Sequence, residues 1–177
     1  MKTTATRLLR LSPLRLLLLS SLLPLLGAAA DIEGWVVLNT GSPANPESIL
    51  STDVMEKNGL VRGGWKVSGS GVLQGDEVAD SALVFRMFLA QPKGGVVRML
   101  AVTKEEADTR TKLGYVTEGA LGHVSLKAAP GMVPVIRFSK AGKYLWVISA
   151  ADQGWAEQNG WKREKVAFWL WKDTYHN

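Results

Sequence analysis

The chain has no cysteine among its 177 residues. That removes thiol nucleophiles, redox pairs, disulfide staples and cysteine-held metals together. Histidine is almost as scarce: His123 and His176 are the two present, and they have no metal-ligand spacing. The glycines and serine at 69–71 lack the Lys-Ser/Thr and helix that would make a phosphate cradle. No Ser-His-Asp order stands out. The expectation is a chain with no catalytic residue, no metal and no cofactor.

Charge of one sign is also missing, once the first thirty residues are set aside. The whole chain carries 21 Lys+Arg against 16 Asp+Glu, but Lys2, Arg7, Arg10 and Arg15 precede residue 31 and no acid does. The remainder has 17 basic against 16 acidic side chains, a net +1. Such a surface steers weakly toward phosphate backbones, so nucleic acid is not an expected partner.

What is present begins with an export signal. A basic start, an apolar core over Leu16–Leu26 and small residues Ala28, Ala29 and Ala30 are the layout of a signal peptide over residues 1–30. Its apolar core is shorter than the about 20 residues that span a bilayer, and no later run approaches that length. The expected location is secreted or periplasmic, with no membrane span after signal removal. Residues 31–177 suit one domain. At this size a chain buries about 70% of its unfolded surface and needs no staples.

That domain is expected to repeat. Gly64-Trp65, Gly114-Tyr115 and Gly160-Trp161 mark three similar points. Each follows a polar helical stretch and precedes a strand-like run. In the last unit, "VPVIRF" from Val133 reads as a strand, "AGK" at 141–143 as a turn and Tyr144–Ile148 as a second strand. Ser149 then caps a helix, and "KREKVAFWLW" from Lys162 closes the unit. Val84–Phe88, Val96–Val102, the helix from Thr103 and "VTEGALGHVSL" fit the same template. "GWVVLN", "SILST", a helix capped by Thr52 or Asp53 and "GGWKVSGSGVL" fit it more loosely, and the glycines there weaken the last strand. The expected fold is mainly β with short helices (α+β). Three ββαβ units at about 34–76, 81–127 and 131–172 would form one compact pseudo-threefold domain, β-trefoil-like in outline.

This pattern resembles a family of secreted, mostly bacterial tandem-repeat domains of unknown function. "VIRF…YLWVIS…ADQGWAEQNGWKREKVAFWLW" carries it best, then "VFRMF…MLAVTKEEADTRTKLGYVTEGALGHV", then "ILSTDVMEKNGLVRGGWKVSGSGVL". The resemblance implies export and a modular, accessory character, and no established reaction. Turns in such units often hold a Gly-Asp-His run. None of the three here does, so a ligand role of that turn would be lost.

Arg86 and Arg137 occupy matching places in first strands; Glu118 and Glu164 match after the Gly-aromatic mark. The first unit has Leu38 and Ser68 instead. Joint loss of both charges points to internal Arg–Glu pairs, since a lone half-buried charge is costly. A glutamate acting as acid or base is the competing role. Trp65, Tyr115 and Trp161 recur at a structural joint and are expected in the core. Trp146, Trp155, Trp169 and Trp171 belong to the last unit alone. On strand alternation, Val166, Phe168 and Leu170 share one face, and Ala167, Trp169 and Trp171 the other. Flat exposed rings suit sugars or partner proteins. The expected function is a secreted non-catalytic binding module for a polysaccharide or surface protein, using these four tryptophans. The alternative is a self-assembling structural protein, and a hydrolase built on Glu118 or Glu164 ranks last.

Overall fold

Short strands punctuated by glycine and proline do form. The computed structural model describes residues 30–41, 46–92 and 94–172. The elements run β1 (Ile32–Asn39), β2 (Glu47–Ser51), α1 (Val54–Arg62), β3 (Lys66–Leu73), then β4 (Ser81–Ala90), β5 (Val96–Ala101), α2 (Lys104–Lys112), β6 (Val116–Ser125). They finish with β7 (Met132–Lys140), β8 (Lys143–Val147), α3 (Ala150–Gln158) and β9 (Lys162–Trp171). Apart from Ala30, the segment assigned to a signal peptide lies outside the described residues, as does His176. No described helix is long and apolar enough to cross a membrane.

The architecture is mainly β, an antiparallel sheet with three short helices. In each third of the chain the first strand is central, flanked by the second and the third. The thirds join where the last strands meet: Val72 faces Trp171, Ser125 faces Trp169, and Gln74 bridges to His123. β2, β5 and β8 also pack on one another.

The helices start and stop for the same local reasons. Asp53, Thr103 and Ser149 are the N-caps, each accepting from first-turn amides. At the other end Gly64, Gly114 and Gly160 adopt φ of 90°, 89° and 75°. The amides of Trp65, Tyr115 and Trp161 then reach back to the carbonyls of Leu60, Arg110 and Ala156 at 3.1, 3.1 and 3.0 Å. This closure needs a left-handed residue, and glycine adopts that conformation without a side-chain clash.

Counting back three residues from each N-cap gives Leu50, Leu100 and Trp146. All three are buried in the larger core cluster, at the mutual contact of β2, β5 and β8. A second cluster lies under α3 and holds Ile136, Phe138, Leu145, Val147, Ala156 and Trp161, with Leu38 from β1. The part of the last third's sheet that lies under α3 is therefore buried on both faces.

The expected faces of β9 are corrected by a bulge. Val135 pairs with Phe168 but Ile136 with Val166, so Ala167 is an extra residue. It reverses the alternation. Val166 packs under α3, whereas Phe168 and Leu170 join the larger cluster. The glycines of β3 are likewise contact points rather than mere weaknesses. A Cβ on Gly71 would sit 2.6 Å from the Cβ of Leu170 and 2.8 Å from the carbonyl oxygen of Trp171.

Two glycine substitutions should therefore move stability in opposite directions. Gly71→Ala should cost about 1–3 kcal/mol through overpacking. Gly154→Ala, in helix α3 with open space around its Cα, should stabilise by about 0.5–1 kcal/mol. Urea denaturation of the two variants reads both signs; a stable Gly71→Ala protein would show that β3 and β9 are not in close contact.

Candidate functional site

The charged residues singled out by the sequence sit at bulges. Arg86 pairs with Gly119 and Met87 with Thr117, leaving Glu118 as the extra residue of β6. Arg137 pairs with Lys165 and Phe138 with Arg163, leaving Glu164 extra on β9. On β3 the extra residue is Ser68. A bulge re-aims its side chain. Glu118 Oε2 stands 3.0 Å from Arg86 Nε, and Arg137 Nε donates to Glu164 Oε2 at 2.6 Å.

The same registers identify what the first third lacks. Arg86 and Arg137 pair with Leu100 and Trp146, three residues before their N-caps. The residue opposite Leu50 is Val36. Val36 also faces Gly69, one residue past the bulge, as the arginines face Gly119 and Lys165. Val36, not Leu38, thus stands in the arginine position. The sequence comparison slid by two residues because the apolar run "VVL" offers no landmark.

A further set of carboxylates emerges only in three dimensions. The third residue of each helix is acidic: Glu56, Glu106 and Asp152. Each bonds the next third of the chain. Glu56 Oε2 accepts from Arg86 Nη1 at 2.7 Å, and Glu106 Oε1 from Arg137 Nη1 at 3.3 Å. Asp152 closes the circuit, accepting from Lys66 in the first third and from Ser149. Each arginine is thus held between two glutamates, one from its own third and one from the helix before it. The sequence signal was available, a cap followed three residues later by an acid, but the cap role alone hides the longer reach.

Electrostatics follow from these contacts. Burial by itself would raise the Glu56 carboxyl; hydrogen bonds from Arg86 and Ser51 outweigh it and hold the group below its ordinary range. Glu164 is lowered in the same way, burial being outweighed by hydrogen bonds from Ser139 and Arg137. Asp152 is lowered too, its burial offset by bonds from Lys66, Ser68 and Ser149. A carboxylate held ionised by guanidinium is a poor proton donor, which argues against acid catalysis at Glu164. Among the described residues no three His, Asp or Glu gather so as to hold a metal ion.

The tryptophans are not brought together. Trp146 is 1% exposed in the central layer, so it leaves the ligand-facing set: its strand points it at the contact of β2, β5 and β8. Trp155 is half-buried on α3 against the second cluster. Trp169 and Trp171 are half-buried, on the face of β9 opposite Phe168 and Leu170. Of the expected core aromatics, Tyr115 and Trp161 are buried. Trp65 is only half-buried and joins neither cluster, because α1 buries no residue that could cover it. Trp35, not singled out in the sequence, lies under Lys57, whose ammonium is 4.5 Å from the ring centroid. His123 is a strand residue of β6 bridged to Gln74.

A mainly β, antiparallel domain tied by bulge glutamates is the class that fold and geometry define. Over residues 37–171 the chain matches the family described as Domain of unknown function (DUF5648), and it belongs to that family. Comparison with curated proteins and with solved structures returned no match.

Two measurements address the joints. In a double-mutant cycle of Arg137→Met and Glu164→Gln, stability losses should be non-additive by about 0.5–3 kcal/mol; additive losses would show that the pair contributes nothing jointly. Acid should weaken the fold with a defined sign. Glu56, Asp152 and Glu164 have folded values below their ordinary ones, so below about pH 4.5 the unfolded chain binds more protons than the folded chain. Their contribution is full above that pH and is lost as pH falls through the lowered folded values. Urea midpoints should be flat near neutrality and drop on acidification, less steeply in Glu164→Gln.

Proposed function

We propose that the chain is a secreted or periplasmic, non-catalytic binding module that contacts polysaccharide through the outer face of β7 and β9. One observation carries this reading: Trp169 pairs with Pro134 and Trp171 with Met132, and all four are half-buried rather than covered. Directly paired residues of an antiparallel sheet share a face. Two indoles, a proline and a methionine therefore form one apolar patch beyond the reach of the two core clusters. Flat rings of this kind bury the C–H faces of sugars, and a near-neutral protein surface does not repel a charged or uncharged glycan.

The same reading takes the three thirds as copies about an approximate threefold axis, β-trefoil-like in outline. Its support is the recurring order strand-strand-helix-strand, the mutual contacts of β2, β5 and β8, and those of β3, β6 and β9. Export rests on the leader over residues 1–30.

Tryptophan emission titrated with a panel of soluble polysaccharides tests the proposal, run beside a sizing column. The expected result is a shift or quench with one polysaccharide on a monomeric protein, reduced by about tenfold or more in affinity in Trp169→Ala and Trp171→Ala. A silent panel with a concentration-dependent dimer lost in the same variants would replace it with self-assembly.

A further inference from the structure

The strands that build the central core also build an unassigned cavity above it. Counting back from each N-cap, the inward positions of β2, β5 and β8 are Leu50, Leu100 and Trp146, then Ser48, Arg98 and Tyr144. The first trio is sealed apolar core. The second breaks with it, placing a hydroxyl, a guanidinium and a phenol where packing alone would favour more leucine. These three line a cavity of about 350 Å³, with Glu47, Gln91 and Lys143 on its walls and Pro46, Val96 and Val97 on its apolar flank. That volume lies in the usual range for a small-ligand site, about 300–1,000 Å³.

The wall chemistry is graded. Arg98 Nη1 lies 3.3 Å from Glu47 Oε2, and both side chains keep about a third of their surface exposed, 29% and 33%. A single long contact leaves the rest of the guanidinium fork available, and that fork matches a carboxylate geometrically. Glu47 beside it offers carboxylate oxygens that accept hydrogen bonds from hydroxyl groups. Tyr144 is fixed rather than free. Its hydroxyl accepts from Arg110 Nη2 at 3.3 Å, and the guanidiniums of Arg110 and Arg137 lie 5.5 Å from its ring centroid. The guanidiniums of Arg110 and Arg137 therefore flank the phenol, while Arg98, Lys143 and Glu47 line the same cavity. Gly94 and Gly95, at φ of 85° and 82°, line the mouth, and a Cβ on either would meet nothing.

We infer that this cavity binds a small hydroxylated carboxylate, of the size and chemistry of a single sugar-acid ring: the carboxylate on Arg98, ring hydroxyls on Glu47 and Gln91, and the ring's apolar face on Val96. The site is separate from the tryptophan patch. Met132 and Pro134 of that patch open β7, while Lys143 and Tyr144 follow its far end. Tyr144 pairs with Ser139 and Lys143 with Lys140, so at about 3.3 Å per residue the two sites are roughly 17–26 Å apart along the strand. The inference thus stands whether or not the patch binds polysaccharide.

Titration calorimetry with galacturonate and with galactose tests it on the whole domain. Galacturonate should bind and galactose should bind at least about tenfold more weakly, the carboxylate supplying the charge-assisted pair. Arg98→Gln should remove that preference, and Trp169→Ala should leave it intact. Circular dichroism and urea midpoints confirm that Arg98→Gln is folded; a conservative Arg98→Lys, which keeps charge but not the fork, should fall between. Absence of galacturonate binding by the folded wild-type protein overturns the inference, as does binding equal to that of galactose or unaffected by Arg98→Gln. Polysaccharide binding that fails in Trp169→Ala while galacturonate binding persists would separate the two sites.

Discussion

Everything in this structure depends on how three sets of strands in one antiparallel sheet share one interior. A three-stranded sheet with a nine-residue helix cannot bury a face alone. The solution is the contact of β2, β5 and β8, where Leu50, Leu100 and Trp146 occupy the same step of three strands and exclude water from all three at once. Close packing makes such a layer intolerant of change in any one member. The large indole in one position and leucine in the other two also means that the three contributions are unequal. Trp146 is buried in this layer with Leu50 and Leu100, so a residue that resembles a ligand platform in sequence belongs to the core.

The helices serve this arrangement less by packing than by charge. α1 buries no residue and α2 only Ala107. Each instead offers an acidic third residue, bound locally at the helix start and reaching to the next third of the chain. Glu56 holds Arg86, Glu106 holds Arg137, and Asp152 holds Lys66. A half-buried arginine between two carboxylates has its charge compensated. Removing one partner strands the others. Val36 and Ser68 show the consistent alternative: where the first third lacks the arginine it also lacks the bulge glutamate. Its joint uses serine instead, with the Ser68 hydroxyl accepting from the Ile148 amide at 3.0 Å.

Much of this was legible from residues. Strand, helix and turn positions followed from alternation, caps and the Gly-aromatic marks, because these are local and have local causes. Glu118 and Glu164 stood out through matched spacing, and they lie beside Arg86 and Arg137. What could not be read was anything set by a bulge. One extra residue at Ala167 exchanges the faces of β9, and an alternation rule has no means of seeing it. The match of Leu38 to the arginines failed for a related reason, since registers and not spacing define Val36 as the counterpart. The cavity was invisible as well: Glu47, Arg98 and Tyr144 are far apart in sequence and unremarkable singly, and only the convergence of three strands places them around one space.

That convergence also places the cavity and the Trp169–Trp171 pair at two ends of one strand set and not along its middle. Along the shared interior every inward position must be apolar to exclude water, and Leu50, Leu100 and Trp146 obey this. Toward the hairpin ends the next inward residues are Ser48, Arg98 and Tyr144, which line the cavity instead of filling it. At the other end β9 outruns the cover of α3, so alternation past the Ala167 bulge must turn Trp169 and Trp171 outward. Burying them would require Phe168 and Leu170 to leave the core, a loss of about 1.5–3 kcal/mol for each side chain. The geometry that makes the centre stable therefore leaves its chemistry exposed at the two rims.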